Sequence, residues 1–238
     1  MLRKELFFLA IKIRKILHER ARRFFKRELM ECIEKKRESE LVSPRVFEYS
    51  FVIKNLPEKG RIVEIGCTAS SNALPITLAE LGYEVYGVDL RLFRVKHNGF
   101  EFIICDARHL SVRKNIFDCC YSISAIEHIG LPMECGPKND LEGDSKAIKE
   151  MINVVKPNGS LIITVPFGKS HVLAGYERIY DIEGIKSLFE GLEIVEEEYI
   201  IERDGVWLKT PRNKAAKADH KPGRRAIGMF KLVKVIDG

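Results

Sequence analysis

The residues of this chain best suited to chemistry are an adjacent acid and base, Glu127 and His128, and three further acids at Glu64, Asp89 and Asp106. Imidazole takes up or releases a proton near neutral pH, and a carboxylate beside it can hold the ring in orientation. Equally, both side chains could simply brace their own loop, and residue types alone leave the two readings open. The other three acids suit a different task. Each stands at or near the end of a short apolar run, and Asp89, closing the second strand, is placed to accept both hydroxyls of a ribose. Glu64 is also followed by Gly66 and then by small residues, Cys67-Thr68-Ala69-Ser70. A backbone of small residues lets a ligand approach closely.

The hydrophobic pattern indicates what positions these groups. Apolar runs at 61–66, 84–89, 100–105, 117–123 and 159–165 read as strands, and helical spacing falls near 71–81, 143–156 and 182–190. Apolar strands alternating with helices predict parallel β-α-β units covered on both faces. Open sheets of this kind collect ligands at the carboxyl ends of their strands, the expected place of Gly66, Asp89 and Asp106. Further strands near 193–203 and 226–235, separated by a polar, basic stretch without a helix signal, are expected to pair antiparallel. The fold class that follows is α/β, with a Rossmann-like, doubly wound, mostly parallel seven-stranded sheet and an antiparallel last strand. Ahead of it, Ser43-Pro44 marks a helix start. Leu6, Leu9, Ile13 and Ile16 lay an apolar stripe along a helical stretch from 3 to 37. Two regions are therefore expected: a basic amphipathic helical extension over 1–40 and the α/β domain over 41–238.

Composition narrows the class. The chain has 238 residues, 45% of them hydrophobic, which suits one α/β domain plus an appendage. Its six cysteines, at 32, 67, 105, 119, 120 and 135, form no C-x-x-C pair. They read as small buried hydrophobes of a reduced, cytoplasmic protein, with no metal site. The apolar run Leu6–Ile11 is too short for a signal-peptide core or a membrane span. The net charge of +6 is uneven. Residues 1–37 carry 13 Lys/Arg and 5 Glu, and residues 207–225 carry 7 Lys/Arg and one Asp, so the rest of the chain is acidic, at −8. The loop after the first strand holds a single glycine and no G-x-G-x-x-G. That argues against a dehydrogenase, whose pyrophosphate needs several glycines for close approach, and in favour of an adenosyl ligand without phosphates. No G-K-[ST] is present, which excludes a P-loop.

Five motifs in order carry a resemblance. VEIGC resembles the first motif of class I S-adenosylmethionine-dependent methyltransferases, and GVDL the second. CDAR at 105–108 is similar to their acidic third-strand end, FDCCYSISAIEHIG at 117–130 to the fourth-strand motif, and VVKPNGSLIITVPFG at 154–168 to the helix-turn-strand that follows. The longer pattern S-P-R-V-F-E-Y, S-x-I-E-H-I-G and Y-E-R-I-Y-D resembles a subgroup of type 11-like methyltransferases from cell-surface polysaccharide gene neighbourhoods. The resemblance implies S-adenosylmethionine as cofactor. Glu64, Gly66, Cys67 and Thr68 would shape its loop, Asp89 and Leu90 would hold the ribose, Asp106 and Ala107 the adenine, and Ser124 would stand beside them. Thr68-Ala69-Ser70 replaces the family's second glycine, so the methionine end is expected to be held differently.

By the same resemblance the fourth strand ends beside the sulfonium. His128 then becomes the general base or the positioner of the acceptor, with Glu127 orienting it or the cofactor, and Arg178 and Tyr180 become acceptor contacts. The Asn/Asp-Pro-Pro-aromatic signature of many base and amide N-methyltransferases is absent, so an oxygen acceptor on a small molecule or a glycan- or lipid-linked precursor is expected. Two alternatives stay open: an RNA methyltransferase using the basic segments 1–37 and 207–225, and a non-catalytic binding protein on the same fold. The basic segments suit an anionic membrane surface, a nucleic-acid backbone or a solvated face.

Overall fold

The computed structural model describes residues 43–68, 73–132 and 140–234. The expected helical extension over 1–40, Ala69 and Ser70 lie outside the described residues. The described chain forms one unit from Pro44 onward. It opens with α1 (Arg45–Asn55), followed by β1 (Arg61–Ile65), α2 (Ala73–Glu80), β2 (Glu84–Asp89), β3 (Phe100–Ile104) and β4 (Phe117–Ile123). A single 3-10 turn (Ile126–His128) leads to α3 (Gly143–Val154) and β5 (Val155–Pro166). The small strands β6 (His171–Leu173) and β7 (Glu177–Ile179) precede α4 (Ile182–Leu188). The chain then runs through β8 (Leu192–Arg203), β9 (Val206–Lys209), the short helix α5 (Arg212–Ala215) and β10 (Ala226–Lys234).

The main sheet has the order β3-β2-β1-β4-β5-β10-β8-β9. Strands β3, β2, β1, β4 and β5 are parallel neighbours, and β10 is antiparallel to both β5 and β8. The architecture is the expected Rossmann-like one, with one strand more than the seven read from sequence. That strand, β9, folds back on β8 through Asp204-Gly205, both with positive φ (52° and 75°), the conformation a two-residue hairpin turn requires. It and α5 occupy the stretch expected to be a plain loop. The connections from β2 to β3 and from β3 to β4 contain no helix.

Alternation along β1 divides the core. Ile62 packs with Phe51, Val52, Leu74 and Leu78, the layer of α1 and α2. Val63 and Ile65 pack with Ala147, Ile148 and Met151, the layer of α3. Ile162 and Leu161 repeat the division on β5, as a period of two demands. Each fully buried side chain of this size contributes roughly 1.5–3 kcal/mol of transfer free energy. The two layers hold the strands rigidly, so the residues that follow them are delivered to one rim. No helix among the described residues is long and apolar enough to cross a membrane.

Candidate active site

A cleft opens over the carboxyl ends of β1 to β4. Gly66, Asp89, Leu90, Asp106, Ala107, Ser124 and His128 line it, together with Arg45, Arg91, Arg108 and Tyr176. Gly66 leaves β1 at φ 81°, and a Cβ there would come within 2.4 Å of the Ala125 Cβ. Only glycine fits so tight a turn at a positive φ.

Asp89 ends β2 and is 8% exposed. Its Oδ2 accepts from the Thr68 amide (3.0 Å) and the Thr68 hydroxyl (2.5 Å), and its Oδ1 accepts from the Arg91 amide (2.9 Å) and Nε (3.3 Å). Burial pushes its carboxyl up, but these donors outweigh it and hold the group below the ordinary carboxylate value. Beside it, Asp106 takes the fork of Arg108, at 2.7 Å from Nη2 and 3.0 Å from Nε, and the bond to Arg108 lowers its pKa. Arg108 also reaches Asp140 at 3.3 Å, and Lys146 joins the far side of Asp140. Both acids are thus ionised, oriented and neutralised before any ligand arrives.

Glu64 is set back from the cleft, within reach of the Tyr121 hydroxyl at 3.1 Å. Burial raises its pKa from 4.5 to about 7, against the opposing pull of Tyr121 and Arg45. Cys67 points into the α1–α2 layer of the core, and burial pushes its thiol far above the ordinary value. It is therefore not a nucleophile.

Glu127 and His128 stand on the 3-10 turn. His128 Nδ1 lies 2.7 Å from the Tyr176 carbonyl, and the two rings pack at 4.4 Å. A carbonyl can only accept, so Nδ1 donates to it, and in the neutral ring Nε2 then keeps the lone pair. Glu127 does not bond His128: the nearest approach, Oε1 to Nε2, is 3.9 Å. Its carboxyl is 1% exposed, Oε2 has no hydrogen-bond partner among the described residues, and burial drives its pKa well up.

Arg178 and Tyr180, expected at the acceptor, do not line the cleft. Arg178 Nη1 and Nη2 donate to the carbonyls of Glu127, Ile129 and Leu141 (3.2, 2.8 and 3.1 Å), and its Nε lies 3.4 Å from Asp144. The Tyr180 hydroxyl donates to Asp144 at 2.8 Å. Together they clamp the turn that carries His128, while Asp181 caps α4 by accepting from the Gly184 amide.

Three groups that sequence reasoning passed over take part. Arg45 lines the cleft from the first turn of α1 and bonds Glu48 Oε2 at 2.7 Å. Glu48, fully buried, also accepts from Ser124 Oγ and Thr164 Oγ1, each at 2.6 Å. Ser124 itself has φ 43°, an uncommon conformation for a residue with a side chain. Tyr176 hangs from the β6–β7 hairpin. Its signal was present as Ala174-Gly175 between two apolar-polar runs; Arg45 and Glu48, at i and i+3, stood inside a motif already noted.

The methyltransferase-domain family model matches residues 63–163. The Bacillus subtilis (strain 168) protein YqeM, a methyltransferase by name, is 30% identical over 123 residues. That match covers 47% of this chain and 44% of YqeM, so it spans less than half of the relative. Among solved structures, the cyclase SpnF superposes with a TM-score of 0.57 at 15% identity, covering 78% of this chain and 79% of that one. The Burkholderia thailandensis 1,6-didemethyltoxoflavin-N1-methyltransferase, solved with S-adenosylhomocysteine, gives 0.55 at 13% identity, covering 79% and 77%. At such identities the likeness is one of fold.

Proposed function

The chain belongs, through residues 63–163, to the class I S-adenosylmethionine-dependent methyltransferases, and on that premise we propose that it methylates an oxygen of a small molecule or of a glycan- or lipid-linked precursor. The observation that carries the reading is the pairing of Asp89 and Asp106. They follow adjacent parallel strands and face one cleft beside the Gly66 turn. The cofactor fits what is there. The turn is open where a Cβ would collide, and two ionised acceptors await the hydroxyls and amine of an adenosine. Asp89 and Leu90 would hold the ribose, Asp106 and Ala107 the adenine, and Ser124 would flank the centre.

S-adenosylmethionine, when bound, supplies an already activated methyl group. The protein's share is alignment and removal of the acceptor proton. His128 suits the second task, with Nε2 basic and Nδ1 anchored on the Tyr176 carbonyl. Glu127 is the buried neighbour that tunes the site, and Arg178 with Tyr180 act on the acceptor through the turn they clamp. We take residues 1–40 as a basic extension of a cytoplasmic enzyme, 41–238 as its methyltransferase domain, and contact with anionic membrane as the extension's role.

Calorimetry should show S-adenosylmethionine binding that falls at least about ten-fold in Asp89→Ala, since a bond to a charged group contributes about 1.5–3 kcal/mol. A labelled-methyl assay across lipid, glycan and RNA fractions should place the label on a glycan or lipid. Label on RNA alone would sink the acceptor reading, and binding without any transfer would leave a non-catalytic protein. His128→Asn should lower turnover by about 10²–10⁴ with cofactor affinity within a few-fold of wild type.

A further inference from the structure

Methyl transfer as described leaves the charge of residues 207–225 unused, seven Lys/Arg against one Asp. The fold gathers part of it in one place. The loop after α5 is pinned along the end of β5. Buried His220 donates Nε2 to the Phe167 carbonyl at 3.1 Å, and the Lys169 amide donates to the Ala218 carbonyl at 2.8 Å. A Cβ on Gly168 would come within 2.4 Å of that same carbonyl. So fixed, the loop sets Lys221 and Arg224 against Asp219, at 4.0 and 3.2 Å. Desolvation raises the Asp219 carboxyl, but the Lys221 amide and the charges of Arg224, Lys221 and Lys169 outweigh it and hold the group low. Three exposed cations therefore crowd around one carboxylate.

The β6–β7 hairpin joins this cluster to the reaction centre. Tyr176, at its tip, packs on His128 at 4.4 Å, while His171, at its base, stands 6.5 Å ring to ring from His220. Glu177 on β7 spans the two sides: burial raises its carboxyl, and the charges of His128, Arg225 and His171 all oppose the rise. Along the way the hairpin exposes Val172, Leu173 and Tyr176. We propose that the methyl acceptor is a phosphate ester, its phosphate held by Lys169, Lys221 and Arg224 and its carbon skeleton laid across the hairpin toward His128. This rests on the methyl-transfer reading above and names its substrate class. A phosphate has oxygens enough for two ammonium groups, which act as point charges, and for the fork of a guanidinium. The apolar side chains in between favour a lipid phosphate over a sugar phosphate, because only the former has apolar surface to bury there.

The test is calorimetry on the full chain at low salt, with S-adenosylhomocysteine present. The probes are geranyl phosphate and glucose 1-phosphate, each beside its phosphate-free counterpart, geraniol or glucose. Geranyl phosphate should bind at least about ten-fold more tightly than geraniol. Lys169→Ala/Lys221→Ala/Arg224→Ala should weaken it about 10- to 100-fold, the scale of charge-assisted bonds, with S-adenosylhomocysteine affinity within about two-fold of wild type. Lys59→Ala/Arg113→Ala/Lys114→Ala removes the same charge ahead of β1 and β4, at the opposite rim, and should leave geranyl phosphate binding unchanged. Tighter binding of glucose 1-phosphate, lost in the first triple variant alone, would keep the phosphate site and make the acceptor a sugar phosphate. Equal affinity with and without the phosphate, or equal loss in both triple variants, overturns the proposal. So does a short oligoribonucleotide that is the one probe whose binding the first variant loses. A wild-type protein that binds S-adenosylhomocysteine but neither phosphate overturns the phosphate site alone; one that does not bind S-adenosylhomocysteine overturns the methyl-transfer reading with it.

Discussion

Thr68 gives both its amide and its hydroxyl to one oxygen of Asp89, and Arg91 takes the other. The residue that departs from the family's glycine pattern therefore does work of its own, ionising and aiming the carboxylate. Gly66 admits no such variation: Gly66→Ala adds a left-handed strain to a 2.4 Å collision, and should lower the thermal midpoint and abolish cofactor binding together. Glu64 gives a pH signature. Its carboxyl titrates at about 7 in the folded chain against an ordinary 4.5, so the folded state holds a proton that the unfolded state has released. The stability this confers is complete below about 4.5 and is lost as pH rises through about 7. Glu64→Gln should match wild type near pH 5 and exceed it at pH 8, by about 2–4 kcal/mol for a shift of this size. Denaturant melts of the ligand-free protein at the two pH values measure it, and equal differences at both would contradict the assignment.

The elements around His128 are small ones. The β6–β7 hairpin has three residues to a strand, and the turn bearing His128 is one 3-10 turn. Neither would hold its shape alone, since so short a piece recovers little of its ordering entropy. Arg178 supplies what is missing by joining the carbonyls of Glu127 and Ile129 to that of Leu141 and to Asp144. Arg178→Met should cost about 3–5 kcal/mol, the scale for breaking a buried ion pair. It should raise the acceptor KM while leaving 5′-methylthioadenosine affinity nearly intact, a split readable from melts and steady-state kinetics. The long strands were legible because each is a continuous apolar run with a core face to fill. The hairpins were not, because three-residue strands carry too little periodicity, although Asp204-Gly205 and Ala174-Gly175 were present as turn signals.

At the scale of the molecule, charge is segregated: residues 1–37 and 207–225 are strongly basic and the remainder acidic. If the extension serves an anionic membrane, the protein should co-sediment with phosphatidylserine vesicles only when residues 1–37 are present, and less as salt rises. Equal sedimentation of the truncated chain would remove that role. The sequence by itself determined the parallel sheet, the Gly66 turn and the strand-end acids, because local rules of periodicity and strand termination specify them within a few residues of each position. Only the tertiary structure decided what surrounds them. Arg45 and Ser124 are 79 positions apart in the sequence and come to one cleft because Glu48 on α1 bonds both of them. Arg178 turned from ligand contact to clamp because its nearest partners are backbone carbonyls about 37–51 residues away. Pairings over such separations depend on how layers stack, and no local pattern of residue types encodes that.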